Sequence, residues 1–476
     1  MASCHSFIMG ASIELGIDLH LRESCFQAGT DSPQQHLALH SAYTPFHRSK
    51  IMHPILRPFA VAALALSVAA CGTLDRPDGP LRLYGPDSVV SAAMARTSIE
   101  SQVTDFNADF SYLLSRESPP RLLALSGGGA NGAYGAGLIY GWSEAGTRPS
   151  FDIVTGISTG ALAAPFAFLG PEWDEELREA YTGKQTESLI GLRSFAAIFN
   201  PSLFSSKQLE RLVDSYVTFE LLRAIAHEHA NGRRLLVATT NLDTQQSVIW
   251  DIGVIATRGD EDARQLFKKI LVASASIPGV FPPVLLPGLS PEGQPIAEMH
   301  VDGGVNLPYL AIPEELMLWT SSRARPGRGA IYIIVNGQTG RNTGTTPGRL
   351  TGILGRTYDS MSKASLRTHL AVTSGFASRN GLEMSFTAIP DNVQASALSF
   401  DQVSMTALFE VGRQRGRDGS AWRRMDKIDP AAGLIGEDKI DEADIPEPLL
   451  LKPVIPPSQT PVTPPSPTET PYTPQP

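Results

Sequence analysis

Two short apolar runs in this chain stop on glycine and pass into small residues at helical spacing, and that pairing limits the folds open to it. Arg121 to Ser126 reads RLLALS, followed by three glycines and then by AYGAGLIYGWSEAG. Tyr134, Leu138, Ile139 and Trp142 recur there at i+3 and i+4, one face of a helix. Phe151 to Ser158 reads FDIVTGIS and passes into TGALAAPFAFLG, a second helix whose small residues predict tight packing. RLLVATTNL (Arg234 to Leu242) and AIYIIVNG (Ala330 to Gly337) are further strand-like runs. Unbroken apolar runs of this kind suit strands covered on both faces. Their alternation with helices predicts an α/β domain with a mainly parallel sheet.

The glycines after the first run raise a chemical question. Gly127, Gly129 and Gly132 fit G-x-G-x-x-G, which serves either a dinucleotide pyrophosphate or another anion held by backbone N–H groups. A dinucleotide site needs an acidic residue at the carboxyl end of the second strand. Asp152 has the right separation, but it opens FDIVTGIS instead of closing it, and no G-K-[S/T] follows to make a P-loop. What closes the second run is GISTG, Gly156 to Gly160, the G-x-S-x-G of a nucleophile elbow. That chemistry needs a serine on a sharp strand-to-helix turn, with Gly156 and Gly160 relieving the crowding around Ser158. The helix that follows aims its positive dipole end at the site.

A nucleophilic serine needs a base. Four histidines lie beyond residue 71: His227, His229, His300 and His369. His227 and His229 fall in AIAHEHANGRR, read as the exposed end of a helix, and His369 sits in a polar helical stretch with no motif around it. His300 precedes VDGG and keeps a triad open. Asp302 is the other candidate. Gly303 and Gly304 let its loop approach the serine, and an aspartate of ordinary pKa, about 4, is ionised at neutral pH. DGG is also ordinary turn chemistry, and taken alone it reads as an aspartate opening a turn.

SGGGANGAYGAG, GISTG, ASASIPGVFPPV (Ala273 to Val284) and DGG (Asp302 to Gly304), in that order, resemble the patatin-like phospholipase family over roughly residues 121 to 320, with a weaker continuation to about 425. The resemblance implies a three-layer α/β/α fold with a mainly parallel central sheet. It implies hydrolysis of lipid acyl esters, of phospholipase A or lysophospholipase type, by a Ser–Asp dyad without histidine, metal or cofactor. By position, Ser158 is then the nucleophile, Asp302 the base, and Gly127, Gly128 and Gly129 the oxyanion hole. Asn131 stands where many members carry Arg or Lys. That removes a positive charge near the site and leaves neutral esters and lysolipids open beside anionic phospholipids. Ile277, Val280 and Phe281 are candidates for an acyl pocket or for plain core. Gly191 to Leu209, apolar and without acidic residues, is read as a lid, a membrane-contacting loop or core.

The ends of the chain carry a different message. The three cysteines are Cys4, Cys25 and Cys71, so the body beyond Cys71 has no disulfide, thiolate metal site or catalytic thiol. Met52 to Gly72 reads MHPILRPFAVAALALSVAACG: Arg57, an apolar run from Phe59 to Ala70, then VAAC, which resembles a lipobox. On this reading Cys71 is lipidated, residues 52–71 are a lipoprotein signal peptide, and 1–51 are an upstream extension before a true start at Met52. Residues 72–118 form a helical arm, 119–320 the catalytic core, 321–450 its C-terminal part, and 451–476 a disordered Pro/Thr/Ser tail. No aspartate follows Cys71, so the expected location is the cell envelope, anchored to an outer membrane. A net charge of −9 without a Lys/Arg cluster argues against nucleic acid as a partner. The expected partners are a membrane through the anchor and an acyl-ester substrate. Two alternatives compete: an esterase or thioesterase of the same fold on soluble substrates, and a non-catalytic membrane-anchored binding protein.

Overall fold

The computed structural model describes residues 120–183, 206–289, 295–313, 317–318, 327, 329–341, 345–425, 435 and 437–451. The expected signal peptide with Cys71, the N-terminal arm, most of Gly191 to Leu209 and the tail beyond residue 451 lie outside them.

The described strands form one nine-stranded sheet, in which each strand of β5-β6-β3-β2-β1-β7-β8-β9 is hydrogen-bonded to the next and β4 is also paired to β3. They are β1 (Arg121–Leu125), β2 (Ile153–Ile157), β3 (Arg234–Asn241), β4 (Gln246–Asp251), β5 (Val284–Leu289), β6 (Pro295–Asp302), β7 (Ala330–Val335), β8 (Glu383–Ala388) and β9 (Arg423–Arg424). The five central strands, β3-β2-β1-β7-β8, are all parallel, while β4, β5, β6 and β9 are antiparallel additions at the edges. The architecture is the expected α/β one.

Both faces of the central strands are covered, which explains their continuous apolar composition. Leu123 and Leu125 of β1 face one core cluster, and Leu122 and Ala124 face the other. The first cluster is filled from α1 (Gly132–Glu144), α2 (Thr159–Leu169), α3 (Asp174–Thr182), α4 (Ser206–Tyr216), α5 (Phe219–Ala230), α6 (Ile252–Ala256) and α7 (Glu261–Ser274). The second is filled chiefly from α8 (Leu350–Asn380) and the Tyr309–Ile312 segment. α7 starts at Glu261, because the Asp260 side chain accepts a hydrogen bond from the Ala263 N–H at 2.7 Å and caps it.

The helix after the glycine loop is fixed by backbone contact. α1 packs on α9 (Gln402–Asp418) through glycines on both sides. A Cβ at Gly137 would lie 1.9 Å from the Phe409 carbonyl oxygen, and one at Gly412 would lie 2.1 Å from that of Tyr134. No side chain fits between these helices, so the start of α1, and the loop feeding it, cannot drift. Among the described residues no helix is long and apolar enough to cross a membrane.

Candidate active site

Ser158 sits between β2 and α2 with φ 55° and ψ −126°, one of two non-glycine residues with positive φ among the described ones. Such a conformation costs of order 1–3 kcal/mol and persists only where surrounding contacts impose it. Here they do. The Ser158 N–H donates to Ser274 Oγ at 3.0 Å, and Ser274 Oγ donates in turn to the Ala238 carbonyl at 2.7 Å. The turn also needs its glycines. A Cβ at Gly156 would lie 2.4 Å from the Gly160 carbonyl oxygen, and one at Gly160 2.4 Å from that of Leu125. The serine is 3% exposed.

Strand register brings Asp302 to it. β2 runs parallel to β3 and ends with Ile157 opposite Ala238. β6 runs antiparallel to β3 and ends with Asp302 opposite Thr239, the next residue along. β4 occupies the other edge of β3 over both stretches, so β2 and β6 share one edge and meet end to end. Gly303 passes so close to β3 that a Cβ there would lie 2.6 Å from the Ala238 carbonyl oxygen. The Ser158 side chain lies against the Asp302 carboxylate, close enough to favour its charged form. The Gly304 N–H donates to Asp302 Oδ1 at 2.7 Å, and the Asp302 N–H donates to the Ser276 carbonyl at 3.0 Å.

Burial dominates the electrostatics of this aspartate. Desolvation raises its pKa to about 7 against the opposing hydrogen bonds from Ser158 and Gly304. This corrects the expectation of an ordinary carboxylate near pKa 4. The local charge pattern alone does not raise it; the loss of water does. The shift brings the carboxylate close to a free imidazole, about 6.5, in basicity.

The glycine loop lies beside this pair. A Cβ at Gly127 would lie 3.3 Å from Ser158 Cβ. The Gly127 N–H donates to the Pro308 carbonyl at 3.3 Å, so it is already engaged. The N–H groups of Gly128 and Gly129 carry no hydrogen bond among the described residues. Gly129 has φ +56° and opens a single 3-10 turn, Gly129–Asn131, that leads into α1. Asn131 is buried in that turn.

The histidines take other places. His300 is fully buried, with Nδ1 2.9 Å from Thr239 Oγ1 and Nε2 3.3 Å from Glu298 Oε2. Trp250 Nε1 donates to the same threonine oxygen at 2.8 Å, and Asn241 Nδ2 donates to Glu298 Oε2 at 3.1 Å. This network lies along β6 and β3, and the ring is committed within it. His229, read as solvated, is only partly exposed and lies 3.6 Å from Asp251. Asp152 accepts from the Arg121 N–H at 2.8 Å at the start of β2, the wrong end of the sheet for a ligand at the strands' carboxyl ends. Among the described residues no group of three or more His, Cys, Asp or Glu side chains gathers as a metal site.

An apolar pocket is lined by Gly129 of the glycine loop and by Thr159, the residue after the serine, together with Leu162, Phe166, Val213 and Met405. Ile277, Val280 and Phe281, the other candidates for a pocket, are not on its wall. Val280 and Phe281 are buried in the first core cluster, and Ile277 packs against it. The sequence reading also passed over Ser274 and Ser276, which hold Ser158 and Asp302 by one hydrogen bond each. Ser274 does so through its hydroxyl and Ser276 through its backbone carbonyl, and no local pattern marks either role.

Residues 123–312 match the family model described as patatin-like phospholipase. They form a patatin-like phospholipase domain, which implies lipid acyl hydrolase activity. Among curated proteins none matches the chain. A similar solved structure is the crystal structure of VipD from Legionella pneumophila, 14% identical, covering 64% of this chain and 67% of that one with a TM-score of 0.28.

Proposed function

We propose that this chain, with its patatin-like phospholipase domain at residues 123–312, cleaves lipid ester bonds with Ser158 as nucleophile and Asp302 as its base. One observation carries the reading: a strained, buried serine lies against a desolvated carboxylate, beside two glycine N–H groups that have no hydrogen-bond partner among the described residues. Ser158 Oγ attacks the acyl carbonyl carbon while its proton passes to Asp302. The carbonyl oxygen becomes an oxyanion facing Gly128 and Gly129, where each donor is worth about 2.7–4 kcal/mol. Collapse expels the alcohol, which takes the proton back from Asp302 and leaves an acyl-serine. Water then attacks the acyl carbon as one of its protons passes to Asp302, and collapse releases the fatty acid while Asp302 returns the proton to Ser158 Oγ. The pKa of about 7 lets the same group accept and return a proton near neutral pH.

The apolar cavity beside Thr159 and Gly129 supports a substrate with an acyl chain over a small soluble ester or thioester. The test is labelling with a fluorophosphonate probe, followed by a chain-length series of esters and mass spectrometry of lipids incubated with the protein. Covalent labelling at Ser158, with release of fatty acid from long-chain lipids, is the expected result. A folded protein that neither labels nor hydrolyses would be the binding protein of the competing reading. The location is part of the same proposal and rests on VAAC alone: Cys71 carries the lipid, and the anchor holds the enzyme at its two-dimensional substrate in the outer membrane.

A further inference from the structure

A run of three glycines is a poor scaffold for an oxyanion hole, because glycine has the widest backbone freedom of any residue. Preorganised donors stabilise a transition state only when their direction is held before the reaction. Something must therefore hold the Gly127–Gly128 peptide.

Asn336 follows β7 by one residue, outside the stretch that matches the family, and is 3% exposed. Its Nδ2 donates to the Ser126 carbonyl at 2.9 Å, and its Oδ1 accepts from the Gly135 N–H at 3.1 Å. One side chain thus joins the residue before the glycines to the first turn of the helix after them. Its own N–H donates to Ser126 Oγ at 2.8 Å, and Ser126 Oγ donates to the Gly127 carbonyl at 2.7 Å. That carbonyl belongs to the same planar unit as the Gly128 N–H. The described residues contain no cis peptide, so fixing the C=O in one direction fixes the N–H in the opposite one. The Asn336 backbone lies against the loop too, since a Cβ at Gly128 would be 2.1 Å from its carbonyl oxygen.

We infer that Asn336 is a positioning residue for acyl transfer: through Ser126 it sets the direction of the Gly128 N–H, and through Gly135 it ties the glycine loop to α1. The inference rests on the reading of Gly128 as an oxyanion donor. An amide suits the place because it offers a donor and an acceptor together, whereas a carboxylate would face the Ser126 carbonyl with a second acceptor.

The test compares wild type with Asn336→Ala, Asn336→Asp, Ser126→Ala, Ser126→Thr and the double variant Asn336→Ala/Ser126→Ala. It measures kcat and KM on a soluble short-chain ester, the rate of fluorophosphonate inactivation, and Tm. Asn336→Ala and Ser126→Ala should each lower kcat and the inactivation rate by ~10–100-fold with KM within about threefold, the pattern of a group that acts only in the transition state. The double variant should lose far less than the product of the two single losses, and Ser126→Thr, which keeps the hydroxyl, should recover most of the Ser126→Ala loss. Folded variants with wild-type kcat, or with a change confined to KM, would overturn the inference while leaving Ser158 and Asp302 in their roles. If Asn336→Ala does not fold, the Ser126 pair decides alone. A wild type with neither turnover nor labelling would remove the hydrolase reading and this inference with it.

Discussion

Ser158 faces the Asp302 carboxylate at the point where two strands running in opposite directions end on one edge of β3. Burial has lifted the pKa of that carboxylate to about 7, so a strained hydroxyl faces a group able to exchange a proton near neutral pH.

Removal of either partner should abolish turnover. Ser158→Ala and Asp302→Asn should each lower kcat by about three orders of magnitude or more, as in serine-hydrolase catalytic units. The double variant should be little worse than either one, because the pair acts together. Strictly multiplicative losses in steady-state assays would separate the two residues and remove the dyad.

The pH profile of kcat/KM should rise from acid pH and level off above about 7, following ionisation of Asp302 in the free enzyme. Stability should move the other way. The folded pKa is raised, so between about 4 and about 7 the folded state keeps a proton that the unfolded chain has released, and stability falls as pH rises across that window. Asp302→Asn removes the buried charge. It should gain stability relative to wild type as pH rises, by at most ~4 kcal/mol for a shift of about three units. Urea unfolding at pH 5 and pH 8 measures this, and a constant difference at the two pH values would contradict the assigned pKa.

His300→Ala should cost stability, not chemistry. It strips Thr239 and Glu298 of a buried partner, a loss of about 1–3 kcal/mol. The folded fraction should keep kcat close to wild type. If thermal denaturation shows an intact fold but activity is gone, a triad through His300 replaces the dyad.

Leu162→Trp should fill part of the pocket and shift preference toward shorter acyl chains. Each methylene excluded from such a pocket is worth ~1–3 kcal/mol in kcat/KM. Competition between ester chain lengths reads the effect directly, and an unchanged preference would place the acyl chain elsewhere.

Cys71→Ser should release the protein into a soluble fraction or leave its signal uncleaved, with activity on micellar substrate preserved. Fractionation with membranes identical to wild type, with the signal removed in both, would mean that membrane contact comes from the protein's own surface.

The residue types of the candidate site were legible from sequence because each lies in a local pattern. An apolar run followed by G-x-S-x-G marks a strand, a turn and a helix, since strand burial, turn sterics and helix spacing all act over a few neighbouring residues. Four of the five central strands, β1, β2, β3 and β7, and the helices after β1 and β2 are legible for the same reason, whereas β8 is not. Asp302 is different. DGG by itself described a turn, and only the four ordered motifs of the resemblance singled it out, because nothing local says that β6 ends one step beyond β2 on β3. Its raised pKa is a property of the burial around it and has no sequence signature. Asn336 and Ser274 were illegible for a related reason. Each acts through hydrogen bonds to residues far away in the chain, 210 positions for Asn336 with Ser126 and 116 for Ser274 with Ser158. Sequence alone determined which groups this chain brings to an acyl transfer. Tertiary structure decided how they face one another, because register, desolvation and long-range hydrogen bonds exist only once distant segments have paired.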